Sequence, residues 1–224
     1  MLVSIIIPVY HDTEALARTL AALRPRDAEV IVASTPDDAE SLAPLRAAHP
    51  HVVWIQVTRG RAVQMNGGAR IARGSWLLFL HADTRLPDEW AAAVAEADAD
   101  RRVSFGCFRF ALDSPRIAAR IIELGVRLRV ALFALPYGDQ AIFVRRDSFV
   151  AIGGYLPLPI MEDVDLVRRL RVTGRLWRAS YPALTSARRW ERFGWFRVTA
   201  QHLRLIVLYF LGVEPERLKC SHAD

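Results

Sequence analysis

The sequence lacks three features that would assign it to a common class at once: paired cysteines, a long apolar run and a glycine-rich nucleotide motif. Its two cysteines, Cys107 and Cys220, form no CxxC pair, so neither a structural zinc site nor a disulfide framework is expected. No segment offers the ~20 uninterrupted apolar residues of a membrane-spanning helix. No GxGxxG follows the apolar N-terminal segment, so a dinucleotide fold of the usual kind is not supported.

Lysine is scarce and arginine abundant, and the 224-residue chain has a formal net charge of +6. Such an excess permits binding of phosphates, acidic lipids or nucleic acid without naming any of them. Aromatic and basic residues are not interleaved as they are in single-strand binders, so we expect no nucleic-acid partner. The length favours one domain, and a composition of 52% hydrophobic and 24% charged residues indicates a globular chain. Because the cysteines are unpaired, a reducing cytosol is the default compartment.

The N-terminal half alternates short apolar runs with helical patterns. The first run, MLVSIIIPVY, has no basic residue and is interrupted by Pro8, so we interpret it as a strand and not as a signal peptide. We predict strands at 2–9, 29–33, 52–57 and 76–80, helices at 13–23, 38–49, 62–72 and 87–99, and a turn at 25–27. This alternation predicts parallel strands joined by right-handed crossovers.

The C-terminal half has a different pattern. We predict an exposed-edge strand at 103–112, a strand at 140–145 and a strand at 176–179, with helices at 117–135, 147–152 and 161–173. The fold class is therefore α/β: a single Rossmann-like domain with a central, mostly parallel sheet flanked by helices. Residues 1–100 would bind a nucleotide and residues 101–200 an acceptor, and an apolar helix would lie at about 198–213.

A buried strand ends abruptly in polar side chains in SWLLFLHADT, residues 75–84. His81, Ala82 and Asp83 follow its apolar run at the carboxyl end, where open α/β sheets bind ligands. Alternation along an extended chain would point His81 and Asp83 the same way. A carboxylate there suits Mg²⁺ or Mn²⁺, and such an ion suits a diphosphate. The alternative is a polar turn in which Asp83 caps the next helix.

The segment RGRAVQMNGGARIARG, residues 59–74, predicts an anion site at the start of a helix. Backbone amides and the helix dipole favour a phosphate near a helix N-terminus. The polar side chains that would contribute are Arg59, Arg61, Gln64 and Asn66. Gly67 and Gly68 would let the helix approach its neighbours closely, so a small-residue helix packed tightly on the sheet is the alternative.

Three carboxylates fall within one helical turn of PIMEDVDLVRRLR, residues 159–171: Glu162, Asp163 and Asp165. They repel one another unless a cation, a hydrogen-bond donor or water screens them. Repulsion and partial burial raise a carboxylate pKa, which improves it as a general base. Ordinary acidic capping of a helix N-terminus is the alternative.

The segment TSARRWERFG, residues 185–194, adds a cluster of basic and aromatic side chains. Arg188 and Arg189 could hold a diphosphate leaving group, and Trp190 could close off a sugar pocket. The alternative is a solvated basic turn with a packed tryptophan.

Together, these motifs resemble the family-two inverting A-fold glycosyltransferases, the large family of the cellulose-synthase-like and dolichyl-phosphate-sugar-synthase-like enzymes. The resemblance runs from SIIIPVYHD to SARRWERFG. More narrowly, GRAVQMNGGARIARGSWLLFLHADTRLP is similar to a small bacterial glycosyltransferase-like subfamily. The resemblance implies a single GT-A type domain with hexosyltransferase-type activity.

The resemblance also implies roles for the matching residues. Asp83 matches the last Asp of the family's DxD motif and would bind Mn²⁺ or Mg²⁺ at the diphosphate. Asp163 matches the Asp of the ED motif and would be the catalytic base. By the same resemblance, the nucleoside pocket would contain Pro8, Val9, Tyr10 and Asp12, the donor–acceptor junction Gly138, Asp139 and Gln140, and the diphosphate and acceptor site Arg188, Arg189 and Trp190. The other substrate-binding residues that we predict are Arg59, Arg61, Gln64, Asn66, His81, Ala82 and Glu162.

Three positions depart from the family's pattern. His81 replaces the first Asp of DxD, and YHD at 10–12 replaces a more usual Asn-Glu ending. The acidic residue that usually follows the second strand has no clean match in ASTPDD, where Asp37 or Asp38 could take its place. All three departures concern the nucleoside pocket, so they bear on the identity of the base more than on the chemistry.

We therefore expect metal-dependent transfer of a sugar from a nucleotide diphosphate sugar to a hydroxyl acceptor, which could be lipid-linked, with inversion. A nucleotidyltransferase, a non-catalytic sugar-nucleotide-binding protein and a membrane-docking protein are the alternatives. Segments 117–135 and 203–213 combine apolar residues with arginines, so each could lie on a membrane surface, in the core or in a homodimer. The expected location is the cytoplasm, including the inner face of the membrane.

Overall fold

An eight-stranded sheet organises the molecule. The computed structural model describes residues 2–24 and 28–220. The strands are β1 (Val3–Pro8), β2 (Ala28–Ser34), β3 (Val53–Gln56), β4 (Trp76–Phe79), β5 (Thr84–Arg85), β6 (Val103–Asp113), β7 (Phe143–Arg145) and β8 (Arg175–Ser186). They lie side by side in the order β3-β2-β1-β4-β7-β6-β8-β5.

Helices connect the strands and cover the sheet. They are α1 (Thr13–Ala22), α2 (Ala43–Ala48), α3 (Arg61–Ile71), α4 (Trp90–Ala99), α5 (Ile117–Phe133), α6 (Arg146–Ala151), α7 (Glu162–Leu170), α8 (Arg188–Phe193), α9 (Trp195–Phe210) and α10 (Pro215–Cys220). Short 3-10 helices occur at Pro36–Asp38 and Gly138–Gln140. Within the described part of the chain, no helix combines the length and apolar character needed to cross a membrane.

The front half of the sheet is parallel, as predicted. β1 pairs with β2 and β4, and β2 pairs with β3, all in parallel register. Every residue of β1 is buried, because helices cover both faces of the sheet. Ile5 and Ile7 pack with α1 and α4 on one face, whereas Ile6 packs with α3 on the other.

Helix α3 lies close to the sheet because of its glycines. A Cβ atom on Gly68 would lie 2.5 Å from Cγ2 of Ile6, and one on Gly67 would lie 2.8 Å from Cγ1 of Val57. A larger residue at either position would push the helix away from the strands. The small residues therefore set how closely the N-terminus of α3 approaches the carboxyl end of β1.

The back half of the sheet is mixed, and one prediction for it was wrong. β7 pairs antiparallel with β4 and β6, β8 pairs parallel with β6, and β5 pairs antiparallel with β8. The segment 103–112, predicted as an exposed edge, belongs to β6, which lies between β7 and β8 and is buried along most of its length. Its small residues leave room for packing, since a Cβ atom on Gly106 would overlap the Phe143 ring.

Strand β8 is longer than the predicted strand at 176–179. It continues through Pro182, a residue that ordinarily disfavours the interior of a strand. The register between β6 and β8 shifts between Cys107 and Arg109, opposite that proline, so the irregularity accommodates it.

The helix predicted at 38–49 is reduced to α2. The Asp38 side chain accepts hydrogen bonds from Thr35 and from the backbone of His11, and Pro44 lies in the first turn of α2, where it needs no N–H partner. The segment 185–194 comprises the end of β8 and α8 instead of a turn, and the apolar segment 203–213 lies mostly in α9. The turn predicted at 25–27 lies outside the described residues.

Candidate functional site

A cleft of about 1250 Å³ opens where β1 and β4 end. Most of the predicted site residues line it. They are Pro8, Val9, Tyr10, Asp12, Arg59, Arg61, Gln64, His81, Ala82, Asp83, Asp139, Glu162, Asp163, Arg188, Arg189 and Trp190. Asn66, Gly138 and Gln140 are not among the lining residues. The carboxylates of Asp83 and Asp163, distant in sequence, therefore line one cavity.

Asp83 lies in a turn that follows β4, and the chain there is not extended. The backbone N–H of Thr84 donates to the carbonyl of His81 at 3.1 Å, so the alternation argument for His81 and Asp83 does not apply. Asp83 does not cap a helix either, because β5 follows it directly. Its carboxylate lies 3.8 Å from Nη2 of Arg188, and burial raises the pKa of Asp83 above its ordinary value although Arg188 opposes the shift.

Asp83 can supply one ligand of a divalent cation. Among the described residues, no group of three or more His, Cys, Asp or Glu side chains could hold a metal ion. Mg²⁺ is commonly bound by one or two carboxylates together with substrate phosphates. A single carboxylate in an open, arginine-rich cleft fits that arrangement, in which a bound diphosphate would provide further oxygen ligands.

His81 contributes a neutral imidazole to the floor of the cleft. Burial lowers the pKa of His81 to about 3, with a further contribution from Arg61. The imidazole also lies against the backbone of Gly138, where a Cβ atom would be 2.6 Å from Nε2. Glycine is therefore required at that position for this close approach, which the sequence did not reveal.

Asp163 lies in the first turn of α7 and is held by the backbone. The N–H of Gly138 donates to Oδ2 at 2.7 Å, and the N–H of Val164 donates to Oδ1 at 2.8 Å. Gly138 does not line the cleft, but it positions a residue that does. Gly138 therefore contributes to the site through its main chain.

The predicted repulsion among the three acidic residues of α7 is relieved separately at each one. Glu162 pairs with Nη1 of Arg61 at 3.0 Å, and Asp165 pairs with Nη2 of Arg169 at 2.6 Å. Burial raises the pKa of Glu162 even though Arg61 opposes the shift. Glu162 thus anchors Arg61 at the start of α3, and Asp163 is the one member of the three whose partners are backbone amides.

Basic side chains surround the opening. Arg188 forms a bidentate pair with Asp12, at 3.2 and 2.6 Å, and so joins the segment after β1 to α8. The guanidinium of Arg59 lies 4.2 Å from the centre of the Tyr10 ring. Lys219, the single lysine of the chain, also lines the cleft. These cations favour a ligand with several negative charges.

Four predicted ligand-binding residues form hydrogen bonds within the protein. Gln64 donates to the carbonyls of Val9 and Ala33, which braces the ends of β1 and β2. Asn66 exchanges two hydrogen bonds with the backbone of Tyr155 and lies away from the cleft. Gln140 donates to the carbonyl of Phe108, and Trp190 donates to Thr199 on α9.

Sequence reasoning missed the strained backbone around the cleft. His11, Ala141 and Met161 have φ values of 50°, 47° and 65°, a region that non-glycine residues rarely adopt. Such conformations persist where surrounding structure enforces them and often accompany functional sites. Of these residue types, histidine is enriched at positive φ, whereas alanine and methionine are not. The apolar loop at 157–161 was also missed, although its prolines next to the acidic cluster could have indicated a rim.

Comparisons with known proteins show the family and the fold. The family model described as Glycosyl transferase family 2 matches residues 4–148. A crystal structure of S. aureus TarS 1–349 in complex with UDP-GlcNAc is 14% identical, with a TM-score of 0.63, and the alignment covers 83% of this chain and 58% of that one. The same fragment in complex with UDP is 16% identical, with a TM-score of 0.61 and coverages of 83% and 60%.

The structural matches concern the fold alone. At such identity the structural match confirms the predicted GT-A type fold and nothing finer. The chain spans less than two thirds of the TarS fragment and 37% of a longer TarS structure, to which it is 15% identical with a TM-score of 0.60. No curated protein matches the chain significantly.

Proposed function

Because this chain belongs to glycosyl transferase family 2, we propose that it transfers a sugar from a nucleotide diphosphate sugar to a hydroxyl acceptor, with a divalent cation and with inversion. One observation carries the proposal: Asp83 and Asp163 line the same cleft, which also contains several arginines. A cation site beside a separate, oriented carboxylate is what one-step transfer from a diphosphate requires. The front half, residues 1–100, would bind the donor and the back half the acceptor.

Asp163 is the proposed base. Its two backbone donors orient the carboxylate, and each oxygen retains a lone pair for an acceptor hydroxyl. As the acceptor oxygen bonds to the anomeric carbon, its proton passes to Asp163. The bond between that carbon and the diphosphate oxygen breaks in the same displacement. A single displacement inverts the anomeric centre, and no covalent enzyme intermediate is needed.

The charge on the departing diphosphate is the other task of the site. Asp83 would hold Mn²⁺ or Mg²⁺, which when bound supplies Lewis-acid stabilisation of that charge. Arg188 lies next to Asp83, and Arg61 stands at the N-terminus of α3, where backbone amides also favour an anion. On donor binding, Arg188 would exchange its contact with Asp12 for contact with the diphosphate. It would then stabilise the negative charge that develops on the diphosphate as it leaves.

A uridine diphosphate sugar is the first donor to test, because the TarS fragment was crystallised with UDP-GlcNAc and with UDP. The test is a thermal-shift screen of nucleoside diphosphates and their sugars, with and without Mn²⁺. A donor at about a hundred times its Kd should raise Tm by about 5–10 °C. Absence of a shift with every nucleoside diphosphate would contradict the proposal.

Product analysis separates the proposal from its nearest alternative. Transfer of a sugar releases the nucleoside diphosphate, whereas a nucleotidyltransferase, which also uses a carboxylate-bound cation at a sheet edge, releases pyrophosphate. Release of pyrophosphate would replace the proposed reaction. A donor that binds and is never consumed with any hydroxyl acceptor would favour a non-catalytic sugar-nucleotide-binding protein.

A further inference from the structure

Helices α5 and α9 present apolar side chains to solvent instead of to the core. On α5 the exposed apolar residues are Ile117, Ile121, Leu124, Leu128 and Leu132. On α9 they are Phe196, Leu203, Val207 and Phe210. Spacings of three, four and seven residues put each set on one side of its helix. We refer to these nine residues together as the apolar face.

The two helices are neighbours, so the apolar face is one region of the surface. The opposite sides of the helices pack in a shared cluster, to which α5 contributes Ala119 and Val126 and α9 contributes Trp195 and Val198. The inward sides of both helices thus already pack in the core, and the apolar face is not needed there. Large apolar areas left in water mark interaction sites in soluble proteins.

The exposed charges on the two helices are all positive. Arg120 and Arg127 are exposed on α5, and Arg197 and Arg204 are exposed on α9. Helix α9 contains no acidic residue. The single acidic residue of α5, Glu123, is only 12% exposed and is paired with Arg120. A partner for this region must therefore combine an apolar interior with negative charge at its surface.

We propose that the apolar face docks on an anionic lipid bilayer. The leucines, isoleucines and phenylalanines would enter the boundary between headgroups and acyl chains, while the flanking arginines contact the phosphates. A second copy of the chain fits less well, because a two-fold contact through this face would bring the arginines of both copies together. The helices would lie in the plane of the interface, which needs no membrane-spanning segment.

This inference is independent of the proposed function. The cleft is lined by His202 and Leu205, which belong to the inward side of α9. Substitutions on the outward side should leave nucleotide binding in the cleft unchanged. Failure of one proposal therefore does not imply failure of the other.

Vesicle flotation tests the proposal directly. The chain should float with vesicles of phosphatidylcholine and phosphatidylglycerol, and much less with phosphatidylcholine alone. Leu124→Gln combined with Leu203→Gln keeps helix-forming side chains and should lower partitioning by about tenfold or more. The matched control is Val150→Gln combined with Val172→Gln. These apolar residues lie outside both helices and are even more exposed than Leu124 and Leu203, so their substitution should have no effect.

The arginine contribution has its own matched pair. Arg127→Gln combined with Arg204→Gln should lower partitioning by about fivefold per arginine at low ionic strength, and by less in high salt. Arg70→Gln combined with Arg171→Gln changes net charge equally on exposed residues outside both helices, and should have a much smaller effect. Melting temperatures of all variants establish that each remains folded.

Three results would overturn the proposal. The first is the absence of flotation with anionic vesicles at low salt. The second is flotation that the apolar-face variants and their controls reduce equally. The third is a dimer in light scattering that Leu124→Gln combined with Leu203→Gln converts to a monomer, because the face would then bind a second copy.

Discussion

The two walls of the cleft hold their carboxylates in different ways. On the front wall, Asp83 and Asp12 face the half-exposed guanidinium of Arg188. On the back wall, Asp163 accepts hydrogen bonds from main-chain amides, one of them from Gly138. Side-chain ion pairs near solvent contribute little stability and exchange readily for a ligand, whereas partly buried hydrogen bonds from the main chain are held by the fold. We therefore expect the side chains of the front wall to rearrange when a ligand binds, and those of the back wall to keep their positions.

The strongest test of the back wall is Asp163→Asn. The amide keeps the size of the side chain but cannot accept the proton of an acceptor hydroxyl. We expect kcat to fall by about 10²–10⁴-fold while the Kd of the nucleoside diphosphate changes little. Single-turnover kinetics and calorimetric titration measure the two quantities.

The matched control is Asp165→Asn on the same helix, where the side chain pairs with Arg169 and does not line the cleft. It should lower Tm and leave kcat nearly unchanged. Turnover by Asp163→Asn at the rate of the unsubstituted chain would remove Asp163 from the reaction.

The geometry of the back wall is tested by Gly138→Ala. The added Cβ would lie 2.6 Å from Nε2 of His81 and 3.4 Å from Oδ2 of Asp163, so the loop or the imidazole must move. Because a displacement of about 1 Å can lower a rate by about 10²-fold, we expect kcat to fall by about 10- to 100-fold. Nucleotide affinity should change less.

Gly125→Ala is the control, since a Cβ atom there meets no neighbour within 4 Å and alanine favours the helix. It should retain full kcat with equal or higher Tm. If Gly138→Ala retained full kcat as well, backbone positioning of Asp163 would not matter for the reaction.

The front wall is tested by Asp83→Ala. In the presence of Mn²⁺ we expect the Kd of the nucleoside diphosphate to rise by about tenfold or more, because the cation loses its protein ligand. Without the metal, binding should be equal or tighter, since a negative charge near the diphosphate has been removed. Calorimetric titration with and without Mn²⁺ separates the two effects.

Asp113→Ala is its control, because that carboxylate pairs with Arg85 and does not line the cleft. It should bind the nucleoside diphosphate as the unsubstituted chain does. If Asp83→Ala bound the nucleoside diphosphate as tightly as the control does, both with and without Mn²⁺, Asp83 would have no metal-binding role.

The smallest effect concerns the pH dependence of stability on the back wall. Burial raises the pKa of Asp139 to about 7, so the folded state holds this proton over a pH range in which the unfolded chain has lost it. Stability from this group therefore falls as pH rises from about 4 to about 7. Asp139→Asn should raise Tm by several degrees at pH 8 and by much less at pH 4.5. An equal shift at both pH values would contradict the assignment.

Local sequence pattern predicted the front half of the fold well. The apolar runs of β1, β2 and β4 are each buried on both faces, and strands of that kind leave a clear pattern. In the back half the pairing of β6 with β8 is non-local. The alternation in β6 predicted an exposed edge, whereas its small and polar residues, such as Ser104, are buried. Local alternation cannot distinguish a small residue in a crowded interior from one in water.

Most residues of the site could be predicted from the sequence, but their contacts with one another could not. The motifs identified most of the residues that line the cleft, because open α/β sheets bind ligands at the carboxyl ends of their strands. They could not reveal that Glu162 pairs with Arg61, or that Asn66 forms a hydrogen bond with the backbone of Tyr155. Those partners are far apart in sequence, and only the folded chain determines which polar groups remain for a ligand.

The scarcity of lysine has a practical consequence at the cleft. Apart from the terminal amine of the chain, Lys219 offers the one primary amine to acylating reagents, and it lines the cavity. A fluorophore attached through that amine would report occupancy without any engineered labelling position. Protection of Lys219 from acylation by added nucleotide would give a footprint of binding that needs neither turnover nor a known acceptor.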